Sequence, residues 1–129
     1  MADVWKIGSL TTDTLTGRTI IGAIATGAAG GHCFQVAGAD YVVTAGKTFH
    51  ITGIVPILVT AGSSLHMYIR YADDAALTTN PVNLFEITDL ADPVPIMIPC
   101  NISVAAGKYV GIFNSAAVLA TAAIIGYEE

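Results

Sequence analysis

Apolar and polar side chains alternate along several short stretches of the chain with a period of two residues. In the segment Leu65–Tyr71 every odd-numbered residue is apolar or aromatic, and the even-numbered residues are His66, Tyr68 and Arg70. Residues 49–52 alternate in the same way. Because successive side chains of a β-strand point to opposite faces of the sheet, this pattern predicts strands with one buried face.

Short apolar stretches separated by turn-forming residues predict an all-β fold. The chain has 13 glycines and five prolines among many β-branched and aromatic residues, and helical periodicity is hard to find. The predicted strands are Thr19–Ala25, His32–Ala37, Tyr41–Val43, Thr48–Val59, Leu65–Tyr71, Leu84–Ile87, Pro95–Pro99, Tyr109–Asn114 and Val118–Tyr127. The longest is expected to bend at Gly53 or Pro56, which would let it contribute to two strands. Together they predict an antiparallel β-sandwich of the jelly-roll type.

A length of 129 residues fits one domain. Residues 1–18 are polar and rich in threonine, and we interpret them as an N-terminal arm before a single sandwich domain over residues 19–129. Longer loops are expected at Ala72–Asn83 and Thr88–Pro95. Five acidic residues and no basic ones lie between positions 73 and 92, which predicts an acidic edge on this part of the molecule.

One turn motif recurs along the chain. Val43–Lys47 and Val104–Lys108 both run from valine through Ala-Gly to lysine, and Val59–Ser63 is a weaker copy. Glycine accepts the positive φ angle of a tight turn, and an apolar strand follows each time. The motif therefore predicts three similar turns and is too short to establish an internal repeat.

The composition predicts association with other chains. Hydrophobic residues make up 53% of the sequence and charged residues only 12%, and the mean hydropathy is +0.66. Typical soluble domains carry about 25% charged residues. Because large exposed apolar patches usually mark interfaces, we expect a homo-oligomer.

A membrane partner is not expected. The most apolar windows, Ile20–Ala29 and Ala116–Ile125, are shorter than the ~20 residues that a spanning helix needs. The first residues lack the basic and apolar regions of a signal peptide, which predicts synthesis in the cytoplasm. In that compartment two free thiols at Cys33 and Cys100 are favoured over a disulfide, although the pairing stays open.

Nucleic acid is not an expected partner either. The formal net charge is −5, and the bases are scattered too widely to form a patch that tracks phosphates. These bases are Lys6, Arg18, Lys47, Arg70 and Lys108.

The sequence contains partial matches to catalytic and binding motifs, but each lacks residues that the motif requires. Gly46-Lys47-Thr48 matches the end of a phosphate-binding loop, but the required glycine five residues earlier is absent and a predicted strand follows. The histidines His32, His50 and His66 stand one to a strand without the His-x-His spacing of a strand metal site. No Gly-x-Ser-x-Gly nucleophile motif occurs. We therefore expect neither an enzyme nor a cofactor.

Two weaker binding hypotheses remain open. Asp73-Asp74 with Asp89 or Asp92 could hold Ca²⁺ in a loop, although loop acids more often only face water. A second set, Tyr68, Arg70 and Tyr71, has the side chains of a sugar-binding platform. Tyrosine and arginine are also enriched at protein interfaces, and this interpretation is favoured.

Two phrases and the closing strand carry a resemblance to a known family. The phrases are residues 44–54, with Ala-Gly-Lys-Thr-Phe, and residues 101–112, with Ala-Gly-Lys-Tyr, and an Ala/Ile-rich strand over 120–127 follows. Across residues 30–127 the chain resembles the small jelly-roll virion proteins of tailed bacteriophages, including head decoration (cement) proteins and fibre heads. The resemblance implies a last strand in the middle of a sheet, and a non-enzymatic trimer.

We expect from the resemblance a decoration protein that oligomerises and binds the major capsid protein or another virion protein. Trp5 and residues 1–18 would then contact the capsid or a neighbouring subunit, because Trp5 is a lone tryptophan in a polar lead-in. A tail or fibre module that binds a host glycan through Tyr68, Arg70 and Tyr71 is the alternative. Two-fold symmetry in place of a trimer stays open.

Overall fold

The computed structural model describes residues 12–13, 18–58, 65–90, 97–114 and 119–129. None of these residues is helical, so no membrane-spanning helix occurs among them. The strands are β1 Thr12–Asp13, β2 Arg18–Gly27, β3 Gly30–Cys33, β4 Gln35–Val36, β5 Ala39–Asp40, β6 Phe49–Leu58, β7 Leu65–Ala72, β8 Val82–Leu90, β9 Ile98–Val104, β10 Tyr109–Asn114 and β11 Ala120–Glu128.

The strands form two antiparallel sheets that pack face to face. The seven-stranded sheet has the order β5-β4-β2-β11-β6-β9, with β1 also paired to β2, and the four-stranded sheet has the order β3-β10-β7-β8. The prediction of an all-β antiparallel sandwich is confirmed, while the jelly-roll type stays a prediction. The last strand, β11, lies between β2 and β6 at the centre of the larger sheet.

The core lies between the inner faces of the two sheets. Strand β11 alternates buried and more exposed residues along its length, as the period of two requires. The largest fully buried core side chains are Phe34, Phe49, Ile51, Ile54, Met67, Ile69, Ile112, Val43 and Val104. The alternation predicted for residues 65–71 holds for the described side chains, because Met67 and Ile69 are buried and Tyr68 and Arg70 lie on the opposite face.

The predicted strand His32–Ala37 is divided in two. Phe34 is fully buried and separates β3, in the four-stranded sheet, from β4, in the seven-stranded sheet. Its amide donates to the Val110 carbonyl at 2.9 Å, and its carbonyl accepts from the Tyr41 amide at 2.8 Å. The chain crosses between the sheets here because the Phe34 side chain packs in the core between them.

Other strand boundaries also differ from the prediction. Residues 41–43 form only an isolated bridge, at Val42, and β8 extends to both sides of the predicted Leu84–Ile87. Strand β9 begins and ends later than the predicted Pro95–Pro99. An edge strand tolerates proline, and β9 lies at the edge of its sheet.

The long strand β6 stays in one sheet. Its pairing with β9 shifts register between Ile51 and Gly53, so the expected bend is a bulge and the strand is not shared between two sheets. The bulge leaves Thr52 exposed, and its hydroxyl donates to the Ile125 carbonyl at 3.1 Å.

Two of the three recurring turns are described, and they lie side by side. Gly46 and Gly107 have φ angles of 76° and 79°, the conformation that favours glycine. The Gly107 amide donates to the Val43 carbonyl at 2.9 Å, so the two turns contact each other. The third copy, Val59–Ser63, lies outside the described residues.

The region predicted as an N-terminal arm is described only in part. Strand β1 pairs with Arg18 and Thr19, and Arg18 is the first residue of β2. Trp5 and the other residues before position 12 lie outside the described part of the chain.

Candidate functional site

The outer face of the seven-stranded sheet exposes apolar side chains. We call the outward positions of β2, β11, β6 and β9 the outer face. Large side chains on it are well exposed, with exposed fractions of 56% for Ile24, 45% for Ile125 and 59% for Met97, which precedes β9. Among the described residues of these four strands, charged groups on this face occur only at the end near Arg18. The face of a sheet that contacts water usually carries mainly polar side chains along its whole length.

Four residues at the middle of the outer face alternate large and small side chains. Gly22 lies directly opposite Ile125, and Ile24 lies directly opposite Ala123 on the paired strands β2 and β11. The two isoleucines therefore occupy one diagonal of a square, and Gly22 and Ala123 occupy the other. A shallow depression of about 390 Å³ runs over these residues and Gln35. We call these four residues the central square.

A polar cluster closes one end of the outer face. The Tyr127 ring stacks on the His50 ring, with centroids 4.9 Å apart, and the Arg18 guanidinium lies 4.6 Å from the Tyr127 centroid. The Glu129 carboxylate lies 3.6 Å from Arg18 Nε and 3.5 Å from His50 Nε2. The cluster holds the ends of β2, β6 and β11 together.

His50 also connects Ser103 to Glu129, an order of side chains found in hydrolases. Ser103 Oγ lies 3.1 Å from His50 Nδ1, and the other ring nitrogen faces the Glu129 carboxylate. In such enzymes the acid is buried and orients the base. Here the Glu129 side chain is 47% exposed and also faces Arg18, and Ser103 is exposed, so the contact carries no sign of an activated nucleophile. Sequence analysis missed it because only strand pairing brings the residues together.

Tyr68 and Arg70 lie on the outward side of the other sheet. The Arg70 guanidinium packs over the Phe113 ring at 4.0 Å and lies 5.7 Å from the Tyr68 centroid. Arg70 Nε donates to Asn83 Oδ1 at 2.8 Å, and Nη1 donates to the Leu77 carbonyl at 3.1 Å. Arg70 thus joins the sheet to the loop over residues 73–81.

Tyr71 does not share this surface. It is half-buried and packs against the core from the inner side of β7. The Lys108 ammonium lies 6.0 Å from its ring centroid. Of the three predicted binding residues, the structure brings Tyr68 and Arg70 together and places Tyr71 on the opposite face.

Hydrogen bonds to the carboxylates of Asp73 and Asp74 stabilise the loop over residues 73–81. The Asp74 carboxylate accepts from the Thr79 and Thr78 amides at 2.7 and 2.9 Å, and these bonds lower the pKa of Asp74. Asp73 accepts from Lys108 and from Asn80, which lowers the pKa of Asp73. Asp73 and Asp74, two of the predicted Ca²⁺ ligands, therefore bind protein donors, whereas Asp92 and the Asp89 side chain lie outside the described residues. The predicted acidic edge also includes Lys108.

Replacing Arg70 with alanine is expected to loosen this loop. The change removes two hydrogen bonds and leaves the half-buried Leu77 carbonyl without its donor, at a cost of about 1–3 kcal/mol. Hydrogen exchange at the Leu77 and Thr79 amides should accelerate. Arg70→Lys keeps the charge and lacks the planar fork, so it should restore little. Unchanged exchange in the alanine variant would contradict this role.

The three histidines have separate partners. His32 Nε2 lies 3.2 Å from the Ala28 carbonyl, His66 Nε2 lies 2.7 Å from Glu86 Oε1, and His50 belongs to the polar cluster. Within the described residues no group of three or more histidine, cysteine or acidic side chains could hold a metal ion.

Both cysteines are free thiols in different surroundings. Cys33 is buried and donates to the Ala75 carbonyl at 3.2 Å, whereas Cys100 is half-buried on the edge strand β9. Burial, with the nearby carboxylates of Asp40 and Asp74, raises the pKa of Cys33 to about 12. Burial also raises the pKa of Cys100.

Alkylation of the folded protein at pH 8 should therefore modify Cys100 before Cys33. At this pH only about one Cys33 thiol in 10,000 is the reactive thiolate. Peptide mass spectrometry after timed iodoacetamide treatment measures the two rates, and in 8 M urea the rates should become similar. Faster labelling of Cys33 in the folded state would contradict the burial seen here.

One carboxylate is buried at the end of the last strand. Glu128 is 5% exposed, and its Oε1 accepts from the Tyr41 hydroxyl at 2.5 Å and from the Thr44 amide at 3.0 Å. Burial alone would raise the pKa of Glu128, but the bonds from Tyr41 and Thr44 and the charge of Lys47 outweigh it and hold the pKa below 4.5. Burial, together with this carboxylate, raises the pKa of Tyr41.

Comparison with known proteins does not assign the chain to a family. No protein-family model matches it, and no curated protein sequence matches it. The outer face therefore has to be interpreted from its own geometry.

Proposed function

We propose that this protein is a non-enzymatic structural subunit that joins an assembly through the outer face. The observation that carries the proposal is the exposure of Ile24, Ile125 and Met97 on one sheet face without charged residues between them. Burying an aliphatic side chain of this size contributes about 1.5–3 kcal/mol. A face that leaves several of them in water gains most by contact with another protein surface.

The form of assembly that we propose is a virion. The resemblance to small jelly-roll virion proteins of tailed bacteriophages supports a capsid decoration protein that oligomerises and stabilises the head. The low share of charged residues, 12%, suits a protein that buries much of its surface in contacts. In this proposal the protein needs no cofactor, and the capsid or another virion protein is its partner.

Binding to heads assembled without this protein tests the proposal. The purified chain should co-sediment with such heads, and the heads should then resist heat or chelator better than bare ones. Removing residues 2–17, which include Trp5, should abolish binding, and the circular dichroism spectrum should keep its strand signal. If the shortened chain binds as well as the full chain, the N-terminal arm does not contact the head. If the full chain does not bind, the protein is not a decoration protein.

A glycan-binding tail or fibre module has less support. Two of the donor groups of Arg70 are engaged by Asn83 and Leu77, and Tyr71 faces the core, so the three residues do not make one platform. A glycan array provides the comparison, and specific binding that Tyr68→Ala abolishes would move this alternative ahead.

A further inference from the structure

We propose that the outer face is covered by a second copy of this chain, packed face to face around a two-fold axis near the central square. The inference rests on the proposed role of the outer face as an assembly contact and names its occupant. Three observations support it: the arrangement of large and small side chains in the central square, the area of the outer face, and the position of its charged groups.

The shape of the central square is complementary to that of a second copy of itself. In the central square, Ile125 is diagonal to Ile24, and Gly22 is diagonal to Ala123. Turning a second copy over about an axis that runs through the middle of the square, along the strands or across them, places every large residue against a small one. A two-fold interface uses the same surface twice and therefore needs this property.

The dimensions also suit a pair of chains. Four strands spaced ~4.8 Å apart and about nine residues long cover about 600 Å² in plan. A stable interface buries about 800 Å² of accessible surface on each partner. Side-chain relief adds to the flat area, so this face alone approaches the required size.

The charges allow both orientations of the axis. The polar cluster at the Arg18 end contains one cation and one anion, Arg18 and Glu129, at 3.6 Å. At the opposite end Thr26 and Thr121 hydrogen bond to each other at 3.0 Å. Beyond these four strands, Asp40 on β5 lies on the same side of the sheet as Gln35, and its carboxylate accepts a hydrogen bond from Gln35 Nε2. In either orientation of the axis, no charged group of the four strands lies opposite an isoleucine of the central square.

Light scattering on a sizing column, across a dilution series, tests the inference. Wild type should have the mass of two chains or a larger even number. Ile125→Asp, and separately Ile24→Asp, should weaken self-association by about 100-fold or more. Val82→Asp is the matched control, since Val82 is 41% exposed on the other sheet, and it should leave the mass unchanged. Circular dichroism verifies that each variant is folded.

A crosslink identifies the occupant. In a Cys100→Ser background, Ala123→Cys should form a covalent dimer with a short bismaleimide, because facing sheets lie about 10 Å apart. Val82→Cys should not. A wild-type monomer at every concentration, a mass of three chains, or folded aspartate variants that still associate would overturn the inference. Aspartate variants that keep the wild-type mass but lose binding to heads would show that the face contacts the shell, which leaves the proposed function intact.

Discussion

Replacing Phe49 with alanine is expected to lower the free energy of unfolding by about 3–5 kcal/mol. The side chain is fully buried, and its ring meets the Tyr41 ring edge-on with centroids 5.1 Å apart. It also fills the space that Gly126 leaves, since a Cβ atom there would lie 2.8 Å from the Phe49 ring. Truncation leaves a cavity at the contact between β6, β11 and the residue 41–44 segment, which the rigid sheet cannot close.

Urea denaturation followed by circular dichroism measures this loss. Because a domain of this size has a total stability of about 5–15 kcal/mol, Phe49→Ala could unfold the protein, and Phe49→Leu provides a milder variant with a loss of about 1 kcal/mol. Val82→Ala, on an exposed side chain, should change stability by less than about 0.5 kcal/mol. Equal stability losses in Phe49→Ala and Val82→Ala would contradict the burial of Phe49 in the core.

Replacing Glu128 with alanine is expected to cost about 3 kcal/mol at neutral pH. The change leaves the buried Tyr41 hydroxyl and the Thr44 amide without an acceptor, and each unpaired buried donor costs about 1–3 kcal/mol. Tyr41→Phe removes one of the two bonds and should cost less than Glu128→Ala. A double variant should then lose less than the sum of the single losses, because both changes remove the same bond.

The stability of the protein should also depend on pH through Glu128. Its pKa in the folded state is below the ordinary value of 4.5, so the folded state favours the charged carboxylate. The contribution is fully present above pH 4.5 and is lost as the pH falls through the folded-state pKa. In Glu128→Gln the neutral amide keeps an acceptor oxygen, and the acid branch of a melting temperature profile between pH 3 and 6 should become flatter than in wild type. An unchanged slope would assign the acid sensitivity to other carboxylates, such as Asp73 and Asp74.

Local patterning predicted two strands of the four-stranded sheet most closely. The prediction for Tyr109–Asn114 matches β10 residue for residue, and the prediction for β7 stops one residue short. It failed at Phe34, where strand-forming residues stand on both sides of the point at which the chain changes sheet, and at β9, where Pro99 and Asn101 are typical of a loop. Edge strands accept such residues because only one side of the strand pairs with a neighbour.

The candidate site was harder to predict than the strands. The central square depends on the register between β2 and β11, and Ile24 and Ala123 carry no local sign of their pairing. Arg70 was singled out by residue type, yet its role depends on the Leu77 carbonyl seven residues away in a loop. Residue type therefore singled out Arg70, but its hydrogen-bond partners, like the pairing of Ile24 with Ala123, depend on how the chain folds. The predicted trimer, the capsid partner and the role of Trp5 stay predictions.

The central position of β11 has a consequence for how the chain folds. Its hydrogen bonds and contacts reach back 95 residues to Thr26 and 73 residues to Thr52. Without β11, the two strands on either side of it, β2 and β6, have no direct pairing with each other. During synthesis the larger sheet therefore remains as two separate parts until this strand has left the ribosome. Such distant pairings slow folding, and the newly made chain exposes unpaired strand edges for longer than a hairpin protein of the same length would.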